Sequence, residues 1–478
     1  MKTPIDAAAE LAITTLTKHA PTTNSLAQAF KQAGFKLALV GGPVRDAILG
    51  RLGNDLDFTT NAHPVESEKI LKKWADSVWN VGVAFGTIAG KKGDITVEIT
   101  TYRSESYGSD SRKPNVVFGD SIETDLSRRD FTINAMALEL TTPKPTFIDL
   151  FNGVLDLQNK IIKTPGRAED SFNDDPLRMM RAARFMSQLD FQIDPTVIAA
   201  MKAMAARLEI ISAERIRDEF IKTILGSKPR LGITLLVETG LADIFLPEVP
   251  KLKLEIDEHH HHKDVYEQSL TVLEQAIALE GRLSTPNLTL RLAALLHDIG
   301  KPKTKQLIAG GGVSFHHHEV VGARMCKERL KTLRFDNKVI NDVCQLISLH
   351  LRFHGYGSGE WTDSAVRRYV KDAGELLTHL HLLTRADCTT RNKKKAELLA
   401  KTYDELEGRI ESLMQQEELN KIRPDLSGEQ IMQILNLKPS PMVGKAYDFL
   451  LELRLERGPL GQEQAKSELL NWWQQQKI

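Results

Sequence analysis

The spacing of apolar residues divides the chain into a strand-rich first part and a helical remainder. Between Gly34 and about Leu140, short β-rich runs at 37–40, 87–90 and 95–100 alternate with helical patterns. Further along, apolar residues recur at i, i+3 and i+4, which is typical of amphipathic helices. The pattern therefore predicts an α+β fold in which a mixed strand-and-helix domain is followed by helical domains.

Two breaks in the helical pattern indicate further domain boundaries. Lys251 to Lys263 form a polar junction, and Pro424 and Gly428 interrupt the pattern just after Leu419. The β-rich runs also end after the strand-rich first part of the chain. Together with these two breaks, that change predicts four domains. The predicted ranges are 1–165, 166–255, 256–418 and 419–478.

Composition narrows the class of protein. The chain has 478 residues, with 63 Lys and Arg against 63 Asp and Glu, so a basic protein that coats nucleic acid along its whole surface is excluded. No apolar run reaches the ~18 residues of a membrane span, and the first residues lack the pattern of a signal peptide. We expect a cytoplasmic protein without a membrane partner; the oligomeric state stays open.

A glycine turn follows the first predicted strand. Gly41 and Gly42 come directly after the apolar run 37–40, and Pro43 suits the first turn of a helix. Glycines let backbone N–H groups approach a phosphate closely. A plain tight turn is the alternative for this motif taken alone.

Two carboxylates follow on the next predicted strand. Asp55 and Asp57 are two residues apart, so a strand places both on one face, and Glu98 on another strand alternates with apolar neighbours. Adjacent carboxylates repel each other unless a cation lies between them, and Mg²⁺ prefers carboxylate and phosphate oxygens. The pair indicates a two-metal site for phosphoryl transfer, with a solvated strand face as the alternative.

A later helix carries a row of arginines. Arg178, Arg181 and Arg184 repeat every three residues, and we expect Phe185 to lie on the opposite, apolar face. Asp174–Asp175 add acceptors immediately upstream. Such a row suits a triphosphate, while paired carboxylate and guanidinium groups can distinguish base edges. A solvated basic face is the alternative.

Several segments together resemble one family. GGPVRD at 41–46, DLD nine residues on, RRDFTINAMAL at 128–138, DDPLRMMRAARF and SAERIRDE are similar to motifs of the class II tRNA nucleotidyltransferases, in the polymerase-β-like superfamily. The resemblance covers residues 36 to 225. It implies a nucleotidyltransferase head with a mixed sheet and a helical neck. The implied activity is addition of CCA to tRNA 3′ ends from CTP and ATP, with release of pyrophosphate.

The resemblance also implies residue roles. Asp55 and Asp57 would bind two catalytic Mg²⁺ ions, with Glu98 as a candidate third carboxylate. Asp174 stands where the family has Glu, which shortens the reach of that side chain. The implied nucleotide-binding residues are Gly41, Gly42, Arg45, Arg129, Asp130, Asn134, Asp174, Asp175, Arg178, Arg181 and Arg184.

The polar segment from Thr101 to Arg128 is too long for a simple connection. Long loops of this kind often act as lids. In the family, a loop at this place takes part in the switch from CTP to ATP, so its presence favours addition of the complete CCA sequence. An inert surface loop is the alternative.

A second group of motifs resembles the HD phosphohydrolase domain. RLAALLHDIGKPKT at 291–304 is followed by FHHHEVVGAR and RADCTTRN. The resemblance implies His297, Asp298, His318 and Asp387 as ligands of a divalent metal. Gln268 stands where the family has its first histidine, and its amide oxygen is the weaker ligand. We therefore expect a degenerate HD domain, with a competent centre as the alternative.

Three other functions stay open. An enzyme that adds only A and a poly(A) polymerase would both use the same head. Alternatively, the HD domain could be the main activity, with the head as an RNA-binding module. Intact DLD and RRD motifs beside a broken HD ligand set argue against this last alternative.

Overall fold

The computed structural model describes residues 3–82, 86–106, 115–118, 121–254, 264–284, 286–307, 313–353, 361–388, 393–417 and 422–476. The chain forms two compact units, residues 1–247 and 248–478. No helix within these described ranges combines the length and the apolar character needed to cross a membrane. The predicted four-domain division stays a prediction, and the histidine run at 259–262 lies outside the described residues.

A mixed sheet forms the centre of the first unit, as the α+β prediction requires. Its strand order is β3-β4-β5-β2-β1-β8-β9; β2 and β5 run parallel, and the other neighbours are antiparallel. The strands of this part of the chain are β1 Leu37–Val40, β2 Asp55–Thr60, β3 Ser77–Gly82, β4 Thr87–Lys92, β5 Ile95–Thr101, β6 Arg103–Ser106, β7 Asn115–Phe118, β8 Met136–Glu139 and β9 Thr146–Asp149.

Helices surround this sheet and continue beyond it. The helices of the first unit are α1 Pro4–Leu16, α2 Ala20–Gln32, α3 Gly42–Ile48, α4 Pro64–Trp74, α5 Ile122–Ser127, α6 Gly153–Asn159, α7 Ala168–Asp174, α8 Leu177–Leu189, α9 Pro195–Met204, α10 Ala213–Ile224, α11 Pro229–Glu238 and α12 Leu241–Phe245. Two short strands, β10 Ile161–Ile162 and β11 Gln192–Ile193, pair in parallel. Short 3₁₀ turns cover Thr17–His19, Thr132–Asn134 and Ala205–Ile210.

The two strands that lead into the site differ in burial pattern. All four residues of β1 are buried, because this strand lies inside the sheet and is covered on both faces. In β2 the exposed Asp55 and Asp57 alternate with the buried Leu56 and Phe58. Full burial of such apolar side chains contributes roughly 1.5–3 kcal/mol each. The apolar half of β2 therefore anchors the strand, and its two carboxylates face solvent.

The segment from Thr101 to Arg128 differs from the single long loop that the sequence predicts. Strands β6 and β7 pair as an antiparallel ladder, and α5 follows them, capped by the hydroxyl of Ser121. The positions of the β-branched and helix-capping residues explain these elements locally. Residues 107–114 and 119–120 of the predicted lid lie outside the described part.

Helix α8 packs tightly against α10 and α11 in the helical part of the first unit. A Cβ atom on Gly232 would lie 2.6 Å from the carbonyl oxygen of Ala183, so glycine is required for this approach of α11 to α8. This packing holds α8 in place, with Arg178 and Arg181 bonded to the segment 128–130 before β8 and Arg184 bonded to Glu219 of α10.

The second unit is predominantly helical. Its helices are α13 Val265–Leu279, α14 Leu288–Leu296, α15 Lys301–Thr304, α16 His318–Thr332, α17 Asn337–Leu349, α18 Asp363–Ala373, α19 Leu377–Asp387, α20 Lys393–Glu417, α21 Gly428–Leu435, α22 Pro441–Arg457 and α23 Gln462–Gln475. Strands β12 Gln306–Leu307 and β13 Val313–Ser314 form a small ladder, and 3₁₀ turns cover Pro250–Leu254, Glu280–Arg282 and Gly374–Leu376.

Candidate active site

The turn between β1 and α3 requires glycine for two reasons. Gly41 has φ 74° and ψ −139°, a combination that side chains with a Cβ atom rarely adopt. A Cβ atom at Gly41 would also lie 2.9 Å from Nη1 of Arg129. The turn therefore brings the backbone next to the Arg129 guanidinium, which is a predicted phosphate ligand.

The three predicted carboxylates lie on two neighbouring strands. Asp57 in β2 is directly opposite Glu98 in β5, and Asp55 precedes Asp57 on the same exposed face. Desolvation by the surrounding protein, followed by the negative charges of Glu98 and Asp55, raises the pKa of Asp57 to about 6. The three carboxylates therefore form one acidic patch on the exposed face of β2 and β5.

Positive charges face this acidic patch. The guanidinium groups of Arg129 and Arg181 act on Asp57 in the opposite direction and lower its pKa. Arg129 follows α5, whereas Arg181 is on α8, more than fifty residues further along the chain. The fold thus brings the acidic strand and the arginine helix into one electrostatic environment.

Asp125 holds the two arginines that follow α5. Its side chain is fully buried, and its carboxylate accepts hydrogen bonds from Arg128 at 2.7 Å and from Arg129 at 3.0 Å. Burial opposes ionisation, but the charges of Arg129 and Arg128 hold the pKa of Asp125 below its usual value. The sequence analysis did not identify Asp125. Its i, i+3 and i, i+4 spacing to these arginines is the spacing of ion pairs along a helix and could have indicated it.

Asp130 connects the head to α8. Its Oδ1 atom accepts from Nδ2 of Asn134 at 3.1 Å, and its Oδ2 atom accepts from Nε of Arg181 at 2.7 Å. Asn134 in turn accepts from Nη1 of Arg45 at 2.7 Å. Although burial opposes ionisation, Arg181 and Asn134 hold the pKa of Asp130 well below its usual range. Four predicted nucleotide-binding residues are therefore joined in one network.

The arginine row on α8 is not arranged as the sequence suggested. Arg178 is buried and donates to Ser171 Oγ at 2.8 Å and to the carbonyl oxygen of Arg128. The expectation that Phe185 lies opposite the row is wrong, because Arg181 and Arg184 both lie over its ring. The physical reason is the helical repeat, which places residues i and i+4 on one face.

The predicted base-reading pair lies at the junction of α7 and α8. Asp174 ends α7, and Asp175 follows it; both side chains are half-buried. Asp175 Oδ1 accepts from the backbone N–H of Leu177 at 3.1 Å, and Oδ2 accepts from Arg215 of α10 at 3.0 Å. Asp175 therefore caps α8 while one of its oxygens is held by an exposed ion pair.

Glu219 of α10 is a second residue that the sequence reading missed. It is buried, and its carboxylate lies 3.0 Å from Arg184 and 3.8 Å from Arg181. The motif SAERIRDE contains Glu219, but neither its spacing nor its composition indicates contact with a helix about 35 residues earlier.

The predicted HD residues meet inside the second unit. His297 Nε2 lies 3.1 Å from Asp298 Oδ2 and 3.3 Å from Asp387 Oδ1, and His318 Nε2 lies 3.2 Å from Asp298 Oδ1. Gln268 is at the expected place, with its amide nitrogen 3.5 Å from Asp387 Oδ1. Burial opposes a charge on His297, but the two carboxylates raise its pKa to about 10.

His350 completes the cluster and was not predicted. Its Nε2 atom lies 3.3 Å from Nε2 of His318, and both rings are buried. The Nδ1 atoms of His350 and His318 lie 2.7 Å and 2.8 Å from the carbonyl oxygens of Ile347 and Phe315. A carbonyl only accepts, so each Nδ1 carries a proton. The two Nε2 atoms point toward each other, and that of His318 also lies 3.2 Å from Asp298 Oδ1.

A signal for His350 was present in the sequence. His297 and His350 each follow directly on the last leucine of a helix, in ALLH and ISLH. Asp298, His318 and His350 offer ligand atoms that all lie within 4.8 Å of one another. Imidazole Nε2 atoms beside a carboxylate oxygen form a donor set that divalent transition metals prefer.

Together, the mixed sheet, its acidic strand and the facing arginine helix form one candidate site, in a chain that also carries a helical unit with a His-Asp cluster. Residues 37–163 match the family described as the Poly A polymerase head domain, and residues 265–392 match the HD domain. Residues 190–252 match a region described as the probable RNA and SrmB-binding site of polymerase A. The match to this head domain implies dependence on a divalent metal.

Curated relatives match slightly less than half of the chain. The CCA-adding enzyme of Lactobacillus helveticus is 42% identical over 217 residues, which cover 45% of this chain and 53% of that protein. The CCA-adding enzyme of Enterococcus faecalis is 44% identical over 207 residues, covering 43% of this chain and 49% of that protein. The chain thus spans about half the length of the curated relatives that it matches.

Solved structures match the fold over nearly the whole length. The Bacillus stearothermophilus CCA-adding enzyme in complex with CTP has a TM-score of 0.67 and 23% identity, and the match covers 96% of this chain and 98% of that one. The Thermotoga maritima CCA-adding enzyme complexed with tRNA has a TM-score of 0.61 and 21% identity, covering 95% and 96%. The chain therefore shares the fold of these proteins.

Replacement of Asp125 by Asn tests the arginine clamp. An aspartate whose pKa is lowered by folding stabilises the native state above its unfolded pKa of about 3.9, and this contribution is lost as the pH falls further. We expect Asp125→Asn to lower the free energy of unfolding by about 3 kcal/mol at pH 7, with the difference shrinking below about pH 4. Urea unfolding followed by circular dichroism measures both values.

The matched control for this test is Asp218→Asn. Asp218 also pairs with an arginine, Arg217, but its side chain is 53% exposed. An exposed pair contributes about 0–1 kcal/mol, so this variant should be close to wild type at every pH. A pH-independent loss in Asp125→Asn would contradict the ionised clamp.

Proposed function

We propose that this chain adds the CCA sequence to tRNA 3′ ends, using CTP and ATP and releasing pyrophosphate. The observation that carries the proposal is that Asp57, on the central strand β2 of the mixed sheet, shares one electrostatic environment with Arg129 and Arg181. Relatives 39–44% identical over about half of the chain are CCA-adding enzymes, which supports this substrate choice. The expected cytoplasmic location stays a prediction.

Asp55 and Asp57 are the groups we propose to hold two Mg²⁺ ions, with Glu98 as a third carboxylate. These residues fit a divalent cation, because Asp57 and Glu98 are direct neighbours across β2 and β5 and the pKa of Asp57 is raised. Magnesium bound there would activate the attacking 3′-hydroxyl and stabilise the leaving pyrophosphate. Without a cation, the mutual repulsion of the carboxylates is only partly offset by the facing arginines.

The arginines of the chain would bind the triphosphate. Arg129 is fixed by Asp125 next to the backbone of Gly41, and Arg45 is fixed by Asn134. Planar guanidinium groups bind phosphate oxygens with two donors at once and stay charged at every physiological pH. Holding them in place before the nucleotide arrives reduces the ordering that binding requires.

Asp174, Asp175 and Arg178 would present hydrogen-bonding groups to the base. Arg178 is held by Ser171 and by the backbone of Arg128, so its orientation is set by the protein. Selection of C and A then depends on acceptors and donors that match their base edges and leave unpaired groups opposite U or G. The shorter Asp174 leaves Asp175 as the main carboxylate in this proposal.

Replacement of Asp57 tests the transfer reaction. Asp57→Asn should lower incorporation of labelled CTP into a tRNA that lacks CCA by at least about 1000-fold, because metal coordination stabilises the transition state by several kcal/mol. Asp94→Asn, in the exposed turn before β5, is the matched control and should keep wild-type activity. Near-normal incorporation by a folded Asp57→Asn protein would refute the metal assignment.

The product of the same assay separates the related activities. Sequencing of the product end should show CCA after incubation with CTP and ATP. Addition of a single A would instead indicate an A-adding enzyme, and a run of A residues would indicate a poly(A) polymerase. No nucleotide addition by the wild-type protein would reject the proposed function.

Base selection is tested by comparing Asp175→Ala with Arg215→Ala. Asp175→Ala should reduce the preference for CTP and ATP over UTP and GTP by about tenfold, because hydrogen bonds to a base edge are lost. Arg215→Ala removes the ion pair of Asp175 with α10 but keeps the Asp175 carboxylate, so it should leave this preference intact. Identical effects of the two variants, measured as ratios of kcat/KM, would assign Asp175 to the structure of α8.

A second candidate function belongs to the HD cluster. We propose that Asp298, His318 and His350 can hold one divalent metal, with His297 and Asp387 beside it. The facing Nε2 atoms of the two histidines support this proposal. A metal there would supply Lewis-acid chemistry for phosphate ester hydrolysis. Lys301, 3.0 Å from Asp298 Oδ2, supplies a competing positive charge.

Metal content tests this centre. Gln268→His should increase bound Mn²⁺ or Ni²⁺, measured by mass spectrometry, because imidazole replaces a weak amide ligand; hydrolysis of 2′,3′-cyclic phosphates should rise from a low wild-type level. His350→Ala should lower metal content more than tenfold. His379→Ala, outside the cluster, is the control. Robust hydrolysis by the wild type that Asp298→Ala abolishes would contradict the degenerate state.

A further inference from the structure

One aromatic ring lies under three arginines that come from two parts of the first unit. The guanidinium carbons of Arg45, Arg181 and Arg184 lie 5.3, 5.4 and 4.3 Å from the centre of the Phe185 ring. Phe185 is itself buried, and the ring of Phe131 meets it edge-on at 5.8 Å. The ring is therefore fixed in the structure and is shared by three like charges.

Each guanidinium has its own acceptor as well. Asp46 and Asn134 accept from Arg45, Asp130 accepts from Arg181, and Glu219 accepts from Arg184. The positive charges still crowd one another, because burial and the charge of Arg181 lower the pKa of Arg184 to about 10. A neutral group that stabilises all three at once would offset this repulsion.

A ring and a carboxylate hold an arginine in different ways. A carboxylate occupies N–H donors in the guanidinium plane, whereas an aromatic face attracts the cation through its quadrupole and leaves those donors free. A triphosphate needs in-plane donors. In this site Asp46, Asn134, Asp130 and Glu219 already occupy some of the in-plane donors of the three arginines. The ring adds attraction without occupying any further N–H group that could bind a phosphate oxygen.

We infer that Phe185 is a positioning residue for nucleotide binding: its ring holds Arg45, Arg181 and Arg184 together as a triphosphate-binding group. The inference rests on the proposed function, because it requires that these arginines bind the triphosphate. Phe185 does not touch the nucleotide in this assignment. It acts through the guanidinium groups, so its effect should appear in KM and not in kcat.

The test replaces Phe185 with 4-fluoro-, 3,5-difluoro- and 3,4,5-trifluorophenylalanine in the full chain. Fluorine withdraws electron density from the ring face and changes its shape little. The dissociation constant for inorganic tripolyphosphate and the KM for CTP should rise stepwise, reaching about fivefold for the trifluoro ring. Phe185→Leu should give about tenfold in both values, with kcat changed less than twofold.

The same fluorinated series at Phe220 is the matched control. Phe220 is equally buried in the first unit, and its ring packs edge-on against Phe245. Fluorination there should leave tripolyphosphate affinity unchanged. A flat series at Phe185, or equal effects at both positions, would overturn the inference.

The outcomes also separate this inference from the proposed function. A wild-type protein that binds tripolyphosphate but transfers no nucleotide would refute CCA addition, and a graded series at Phe185 would still support the positioning role. A wild-type protein that incorporates CTP with a flat series at Phe185 would refute the positioning role alone.

Discussion

The ion pair between Asp130 and Arg181 is the interaction on which the candidate active site depends. It joins the segment before β8 to helix α8 at 2.7 Å, and both partners are held by further bonds, Asp130 by Asn134 and Arg181 by its contact with Phe185. Loss of either partner would leave a buried charge unpaired, which costs roughly 3–5 kcal/mol. The cost of separating Asp130 from Arg181 therefore keeps the acidic strand and the arginine helix in a fixed relative position.

The head site and the HD cluster offset the repulsion between like charges in different ways. In the head, Asp55 and Asp57 stay open to solvent and the facing arginines are balanced by buried acids, so the site can accept both a cation and an anion. In the HD cluster, His297, His318 and His350 are buried with the carboxylates, and the proton held by His297 provides part of the balance. A solvent-exposed cluster suits a substrate that binds and leaves in each cycle. A buried cluster suits a metal that stays bound.

Much of the fold and of the head site was predictable. Alternating burial in β2 and the glycine turn at Gly41 follow from local rules of strand pleat and backbone conformation, and the motif resemblance assigned the remaining residues of the head. Phe185 was misplaced because the row of arginines was read with a period of three, whereas contact on a helix also links residues four apart. Glu219 could not be assigned, because its partner Arg184 lies 35 residues earlier and only packing brings the two together. His350 offered one signal that was not used, its place directly after the last leucine of a helix, as for His297.

The sequence by itself determined which segments form helices and strands, which strand carries the carboxylates and which side chains can act as ligands. These properties depend on residue type and on spacing within single helices or strands. Tertiary structure alone decided which charges face one another. Asp57 meets Arg181, and His318 meets His350, through the packing of elements distant in the chain. The physical reason is that electrostatic and lone-pair interactions act over a few ångströms of space, and sequence separation carries no information on those distances.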